Sequence, residues 1–310
     1  MERCETHLWY GETDTGKTAQ LGRIAKWWFD RTGEISRLIS ADSGWQSIEP
    51  ALIWSPENPQ GIIEAWNVQA LKDPWAPLIA VSDGEWPKVI DGPSGPKLRM
   101  LKSTYRDGKL VGASDRIVGQ YMFEGISTLG NVALQDHIQT QRQIGQDLVG
   151  KFTSTIDEED SSGKVKALSM SFAKAAPSHF GQVQDWILLD LVPRTGRMPV
   201  ARVIWTGHEA KGDDPITGIK KSVLGPATVG VATVDRTVQK FGHSLHLTSD
   251  TSFTGDKGAP RIVREFRAWF VKHPDSTLTK MTWPTKISLT IARSQELMRR
   301  FPGGFIPLTP

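Results

Sequence analysis

Residues 10–20 read YGETDTGKTAQ. Within them Gly11-Glu12-Thr13-Asp14-Thr15-Gly16-Lys17-Thr18 spells a complete G-x-x-x-x-G-K-[ST] loop. The glycines let the backbone curl so that successive N–H groups converge on an anion. The start of the next helix adds partial positive charge. In such a loop Lys17 reaches the β- and γ-phosphates of a nucleotide, and the Thr18 hydroxyl ligates Mg²⁺. The motif has meaning only between a strand and a helix, and both are legible. Residues 6–10 are short and apolar enough for a strand. Residues 17–30 carry Leu21, Ile24, Ala25 and Trp28 at helical spacing, with Gly33 as a stop. Asp14 is less usual in this loop, because a carboxylate there repels phosphate unless it points away.

Working outward, residues 35–41 (ISRLISA) and 61–68 read as the next two strands, giving the βαβ rhythm of a parallel sheet. Residues 73–116 break that rhythm with five prolines and a hairpin turning at Arg106-Asp107-Gly108, so they read as an insertion. Residues 117–123 (IVGQYMF) form a buried strand, followed by a helix from about 129 to 149. Residues 151–180 are polar and contain an acidic run, the pattern of a mobile loop. A helix over 180–191, a strand over 201–206 (ARVIWT) and a second polar segment over 208–224 follow. Residues 229–272 alternate like antiparallel strands. The expected organisation is a core over 1–250 and a C-terminal strand extension over 251–310.

Composition narrows the classes further. The chain has 310 residues with 37 Lys and Arg against 34 Asp and Glu, a net charge of +3. No global field demands a polyanion, so any nucleic-acid site is a local patch. One cysteine, Cys4, permits no intrachain disulfide framework and fits a reducing cytosol. No apolar run is long enough for a membrane span, and a secretory signal is not expected. These features point to a cytoplasmic location.

The rest of a nucleotide-hydrolysing site must come from other strand ends. Glu124 follows the apolar strand YMF, where the acid on the Mg²⁺ side belongs. Asp42 ends LISAD, where a carboxylate can orient or deprotonate water, although an Asx turn also suits an aspartate before Gly44. Thr206 and His208 close RVIWTGHE, where polar groups can sense a γ-phosphate and relay its loss. Ser127, three residues on, either caps the next helix or touches the site, and capping is the safer reading.

Taken together, GETDTGKT, LISADSG, YMFEGIST, FGQVQDWILLDL, RVIWTGHEAKGDD and LGPATVGVATVDRTVQKFGHSLHL resemble the RecA-like P-loop ATPases. Within them the chain is most similar to short phage-encoded ATPases associated with single-strand annealing and recombination. The likeness spans most of residues 6–250. It implies a RecA-like α/β fold whose mostly parallel central sheet is flanked by helices, with an inserted hairpin region and antiparallel C-terminal strands. It implies ATP and Mg²⁺ as cofactors, Asp42 as base, Glu124 in place of the usual metal-side aspartate, and His208 as the histidine after the fifth strand. It also implies single-stranded DNA, a homo-oligomer, and a partner among annealing or replication proteins.

In that family, loops near 152–176 and 209–224 face DNA. The second contains Lys211, Lys220 and Lys221, which could instead act as a cationic finger from a neighbouring subunit. Arg194 and Arg197 are further finger candidates. The competing expectation is a nucleotide-dependent scaffold or remodelling ATPase whose insertion docks a protein.

Overall fold

A computed structural model describes residues 4–68, 75–92, 95–143, 151–159, 165–173, 177–212, 222–228, 234–254 and 261–272. Its centre is a seven-stranded sheet. In chain order the strands are β1 (Glu5–Tyr10), β2 (Ile35–Ser40), β3 (Ile63–Asn67), β8 (Val118–Glu124), β11 (Arg202–Gly207), β14 (His243–Thr254) and β15 (Arg261–Lys272). Their spatial order is β15-β14-β1-β11-β8-β2-β3. Every neighbouring pair from β14 to β3 is parallel, and only β15 runs antiparallel, on β14. This is a mostly parallel α/β sheet whose phosphate loop follows β1.

Because side chains alternate across a strand, each central strand feeds two layers. Leu8, Tyr10, Tyr121, Phe123, Val203 and Trp205 enter one core. Trp9, Met122, Ile204, Leu245 and Leu247 enter the other, beneath helix α1 (Lys17–Thr32), which contributes Leu21, Ile24 and Ala25. Phe123 and Trp205 stack across paired strands, with ring centroids 4.3 Å apart. Gly33 ends α1 in the left-handed conformation (φ 71°), and its N–H donates to Phe29 O at 2.8 Å, which only glycine accommodates freely.

The insertion lies on the first layer. It comprises α2 (Trp75–Ser82), the hairpin β4 (Trp86–Gly92)–β5 (Gly95–Leu101) and the hairpin β6 (Thr104–Arg106)–β7 (Lys109–Val111). Asp107 and Gly108 turn the second hairpin with φ of 52° and 75°, as the sequence predicts. Leu78, Val81, Trp86 and Leu110 join the core. A buried ion pair fixes the insertion to the sheet. Arg37 Nε donates to Glu64 Oε2 at 2.9 Å, and its Nη1 donates to Tyr121 Oη and Gly84 O at 2.6 and 3.3 Å. Ser114 N–H and hydroxyl both donate to Glu64 Oε1 at 2.8 Å. Both charges are therefore hydrogen-bonded, the condition under which burial of an ion pair is tolerated.

Several expectations are corrected or sharpened. Helix α3 (Ile126–Gln143) starts three residues early, directly after Glu124-Gly125. Within 151–180, expected as a mobile loop, β9 (Lys151–Glu159) and β10 (Val165–Ala173) form a hairpin. Its segment SMSF (169–172) alternates with a period of two, and TSTI (153–156) carries β-branched Thr and Ile that suit a strand, signals that polarity alone concealed. The helix expected over 180–191 is α4 (Pro177–Asp185) continuing through a π-helical turn (Trp186–Leu191) into α5 (Val192–Thr195). In the polar segment after β11, β12 (Glu209–Gly212) and β13 (Ser222–Pro226) form another hairpin. Helix α6 (Val234–Gln239) precedes β14. The expected antiparallel C-terminal strands are β14 and β15, but β14 also joins the main sheet in parallel with β1 and runs through residue 250.

Candidate nucleotide site

The site forms where the parallel strands end. Ser40 pairs with Glu124, Trp9 with Thr206, and Tyr10 with both Gly207 and His246. The phosphate loop leaves β1 at this edge, in the crevice outside the carboxyl ends of the strands where α/β sheets bind ligands. The cleft encloses about 430 Å³ and is lined by Thr13–Ala19, Asp42, Gly44, Ser47, Glu124, Gly125 and Thr206–His208.

The loop is built as its sequence requires. Gly16 takes φ 78° and ψ 12° immediately before α1. Asp14, at φ 62°, is a second left-handed residue and is exposed. Aspartate tolerates that conformation better than most side chains, which accounts for its presence. A Cβ on Gly11 would stand 2.1 Å from Leu247 O, so the loop's first residue packs directly on β14. Thr15 Oγ1 donates to Glu12 O at 2.8 Å. Lys17 Nζ lies over the loop, donating to Gly11 O at 2.9 Å and Glu12 O at 2.5 Å. Burial pushes the Lys17 ammonium down to about 8, against the pull of Asp42, Glu209, Glu124 and Asp14.

Glu124 lies below the loop and is 4% exposed. Thr18 Oγ1 donates to its Oε1, and Ser40 Oγ lies 2.7 Å from its Oε2. Burial raises the Glu124 pKa, the Thr18 and Ser40 hydroxyls lower it, and the nearby Asp42 raises it further. A hydroxyl and a carboxylate oxygen held together are the hard donors that Mg²⁺ takes alongside nucleotide phosphate, so the residues fit that ion. Gly44 keeps the place open, because a Cβ there would be 2.8 Å from Glu124 Oε1 and 3.0 Å from Thr18 Oγ1.

Asp42 and His208, expected as separate functions, meet across the cleft, with Asp42 Oδ2 3.4 Å from His208 Nε2. Gly125, at φ 83°, lets β8 turn beneath them, and its N–H donates to Thr206 Oγ1 at 3.1 Å. Ser127 bridges strand ends rather than capping α3. It accepts from His208 N at 3.0 Å and donates to Ala227 O at 2.5 Å.

The structure gathers the loop residues, Asp42, Glu124, Thr206 and His208 in one place. It does not gather the arginines. Arg194 is half-buried, pairs with Asp190 at 2.6 Å and lies on α5. The neighbouring Gly196 packs on Thr6, near the start of β1, so Arg194 and Arg197 stand at the opposite end of the sheet and cannot serve their own chain's cleft. Lys211 lies on β12, while Lys220 and Lys221 fall outside the described residues. Sequence reasoning missed Ser40. Its signal was parity: two residues past Leu38 on β2, it faces the α1 layer with Glu124.

Ser40 hydrogen-bonds the Glu124 carboxylate, and groups that orient a ligating carboxylate typically change metal affinity when removed. Ser40→Ala is expected to raise the Mg²⁺ concentration for half-maximal ATP turnover by about 10-fold or more. A titration of activity against Mg²⁺ checks this, and an unchanged midpoint would remove Ser40 from the site.

No protein-family model matches the sequence, and no curated protein sequence matches it. Among solved structures, the chain is similar to the flagellar accessory protein FlaH from Methanocaldococcus jannaschii. Identity is 11%, coverage is 88% of this chain and 82% of that one, and the TM-score is 0.39. It is also similar to the KaiC-like protein PH0186 from Pyrococcus horikoshii OT3, at 10% identity, 89% and 82% coverage, and a TM-score of 0.40. At these scores neither likeness carries a residue role to this chain. No helix among the described residues is long and apolar enough to cross a membrane.

Proposed function

We propose that the chain is a Mg²⁺-dependent ATPase whose turnover is coupled to single-stranded DNA. The observation that carries the ATPase reading is the Thr18–Glu124 contact beneath a complete phosphate loop, with Asp42 and His208 facing the same cleft. The loop amides and Lys17 hold the phosphates, and Thr18 and Glu124 hold the cation. Mg²⁺, when bound, neutralises charge on the transferring phosphoryl group. Asp42 orients or deprotonates the attacking water, and His208 releases or engages Asp42 as the phosphate end changes. A cation such as Lys220 or Lys221 supplied by a neighbouring copy completes the site, which makes the working unit a homo-oligomer.

The DNA element of the reading is favoured by the β12–β13 hairpin. It leaves β11 immediately after His208 and carries Lys211, with Lys220 and Lys221 in its connecting residues. These lysines suit phosphate neutralisation without a strongly basic protein. The expected result is ATP turnover stimulated by oligo(dT), the stimulation falling steeply between about 50 and 200 mM salt. Unchanged turnover with saturating oligo(dT) at the lower salt would leave the ATPase without its DNA partner. Such function belongs with phage-type recombination or replication.

A second reading, a nucleotide-dependent scaffold or remodelling ATPase, is favoured by Leu98 and Tyr105, which stand 36% and 50% exposed on the insertion's hairpins. Light scattering with ATP separates the two. Assembly that needs DNA supports the first reading, and assembly or partner binding indifferent to DNA supports the second.

A further inference from the structure

We propose that Glu209 and His246 form a buried positioning pair that ties the phosphate loop to His208 and to the β12–β13 hairpin; this rests on the ATPase reading above. Glu209 Oε2 lies 2.8 Å from His246 Nε2, and their side chains are 6% and 10% exposed. Nothing in the phosphate-loop motif calls for such a pair.

Its connections run in both directions. On the loop side, His246 sits in β14 opposite Tyr10, and their rings stack at 4.9 Å and 14°. Tyr10 is the residue before Gly11. The next β14 residue, Leu247, presents the carbonyl against which Gly11 packs. Since Leu245 and Leu247 face the α1 layer, His246 lies behind the loop, on the opposite face of the sheet. On the hairpin side, Glu209 is the first residue of β12 and pairs with Pro226, while Ala227 N–H donates to His208 O at 2.8 Å.

His208 and Glu209 are consecutive in extended chain, so their side chains diverge. One reaches Asp42 in the cleft, and the other reaches His246 behind it. The peptide between them is thereby held from both sides. A displacement of the loop passes through Tyr10 and His246 to Glu209, and so to the angle at which His208 meets Asp42. Hydrogen bonds between imidazole and carboxylate in a water-poor setting are directional and strong, which suits a strut better than a swinging contact.

The pair does not touch the reacting atoms, so its signature differs from that of a catalytic group. Glu209→Ala, His246→Ala and the double variant are compared with the parent in steady-state ATP turnover, in equilibrium binding of a fluorescent ATP analogue with Mg²⁺, and in hydrogen exchange of residues 207–212. Each single variant is expected to lower kcat by about 10- to 100-fold, the scale of a misplaced catalytic contact. Analogue affinity is expected to stay within about twofold, and the double variant to be no worse than the worse single one. Glu209→Gln, which keeps a hydrogen-bonding side chain, restores part of kcat.

Nucleotide is expected to slow exchange at 207–212 in the parent, and this response is expected to be lost in the alanine variants. A retained exchange response, or additive losses in kcat, would overturn the strut. A parent that binds the analogue without turnover sinks the ATPase reading alone, since the exchange response still decides the pair. A parent with no nucleotide response sinks both.

Discussion

Lys17→Ala is expected to lower ATP turnover by about 10²- to 10³-fold, the loss that follows removal of one fixed group aimed at developing charge. The ammonium is preorganised. It is held over the loop by Gly11 O and Glu12 O, at the mouth of a cleft that also contains Asp42 and Glu124. Phosphate oxygens are better acceptors for it than two backbone carbonyls, so it turns toward them without leaving its tether in α1. Steady-state turnover with and without oligo(dT) reads the effect, and retained binding and hydrolysis in the variant would undo the site assignment.

The same substitution carries a pH signature. Burial lowers the Lys17 pKa from its ordinary 10.5 to about 8. Between those values the unfolded chain binds more protons at this group than the folded one, so parent stability rises with pH across that window. The alanine variant lacks this contribution. Chemical unfolding at about pH 7.5, below that window, and at about pH 10, inside it, is expected to show the parent gaining on the variant at the higher pH.

Much of this architecture was legible because two simple periods run through the chain. Alternation along YMFE puts Met122 and Glu124 on the α1 face and Phe123 on the other. The same parity in LISA puts Leu38 and Ser40 on the α1 face. Once GETDTGKT fixes which face carries α1, the acid under Thr18 follows.

Other features are not local. That His208 would meet Asp42 depends on β11 and β2 lying on either side of β8, a strand order that sequence adjacency does not state. The Glu209–His246 pair joins residues 37 apart through a strand that returns beside β1. Asp14 defeated a reading based on charge because its role is conformational. The 151–173 hairpin was masked by composition, since Thr and Ser serve strands as readily as loops when they alternate.

Glu124→Gln is expected to separate stability from function. The carboxylate is buried, its pKa is raised chiefly by that burial, and the nearby Asp42 adds to the rise. A carboxyl whose folded pKa lies above its ordinary 4.5 binds protons more readily folded than unfolded, so parent stability falls as pH climbs from that value to the folded pKa. Glutamine removes the penalty, keeps the shape, and offers its amide to Thr18 and Ser40, whose hydroxyls can each donate or accept. The variant should therefore melt above the parent near neutral pH, and the advantage should fade as the buffer is acidified below the ordinary carboxylate range. ATP turnover should meanwhile fall by about 10²-fold or more, because the charged donor on the cation side is gone. Functional groups held in unfavourable surroundings commonly show this opposition. A variant that melted lower than the parent at neutral pH and kept its turnover would mean that Glu124 is a structural acceptor for Thr18 and Ser40, and that the cation is held by other groups.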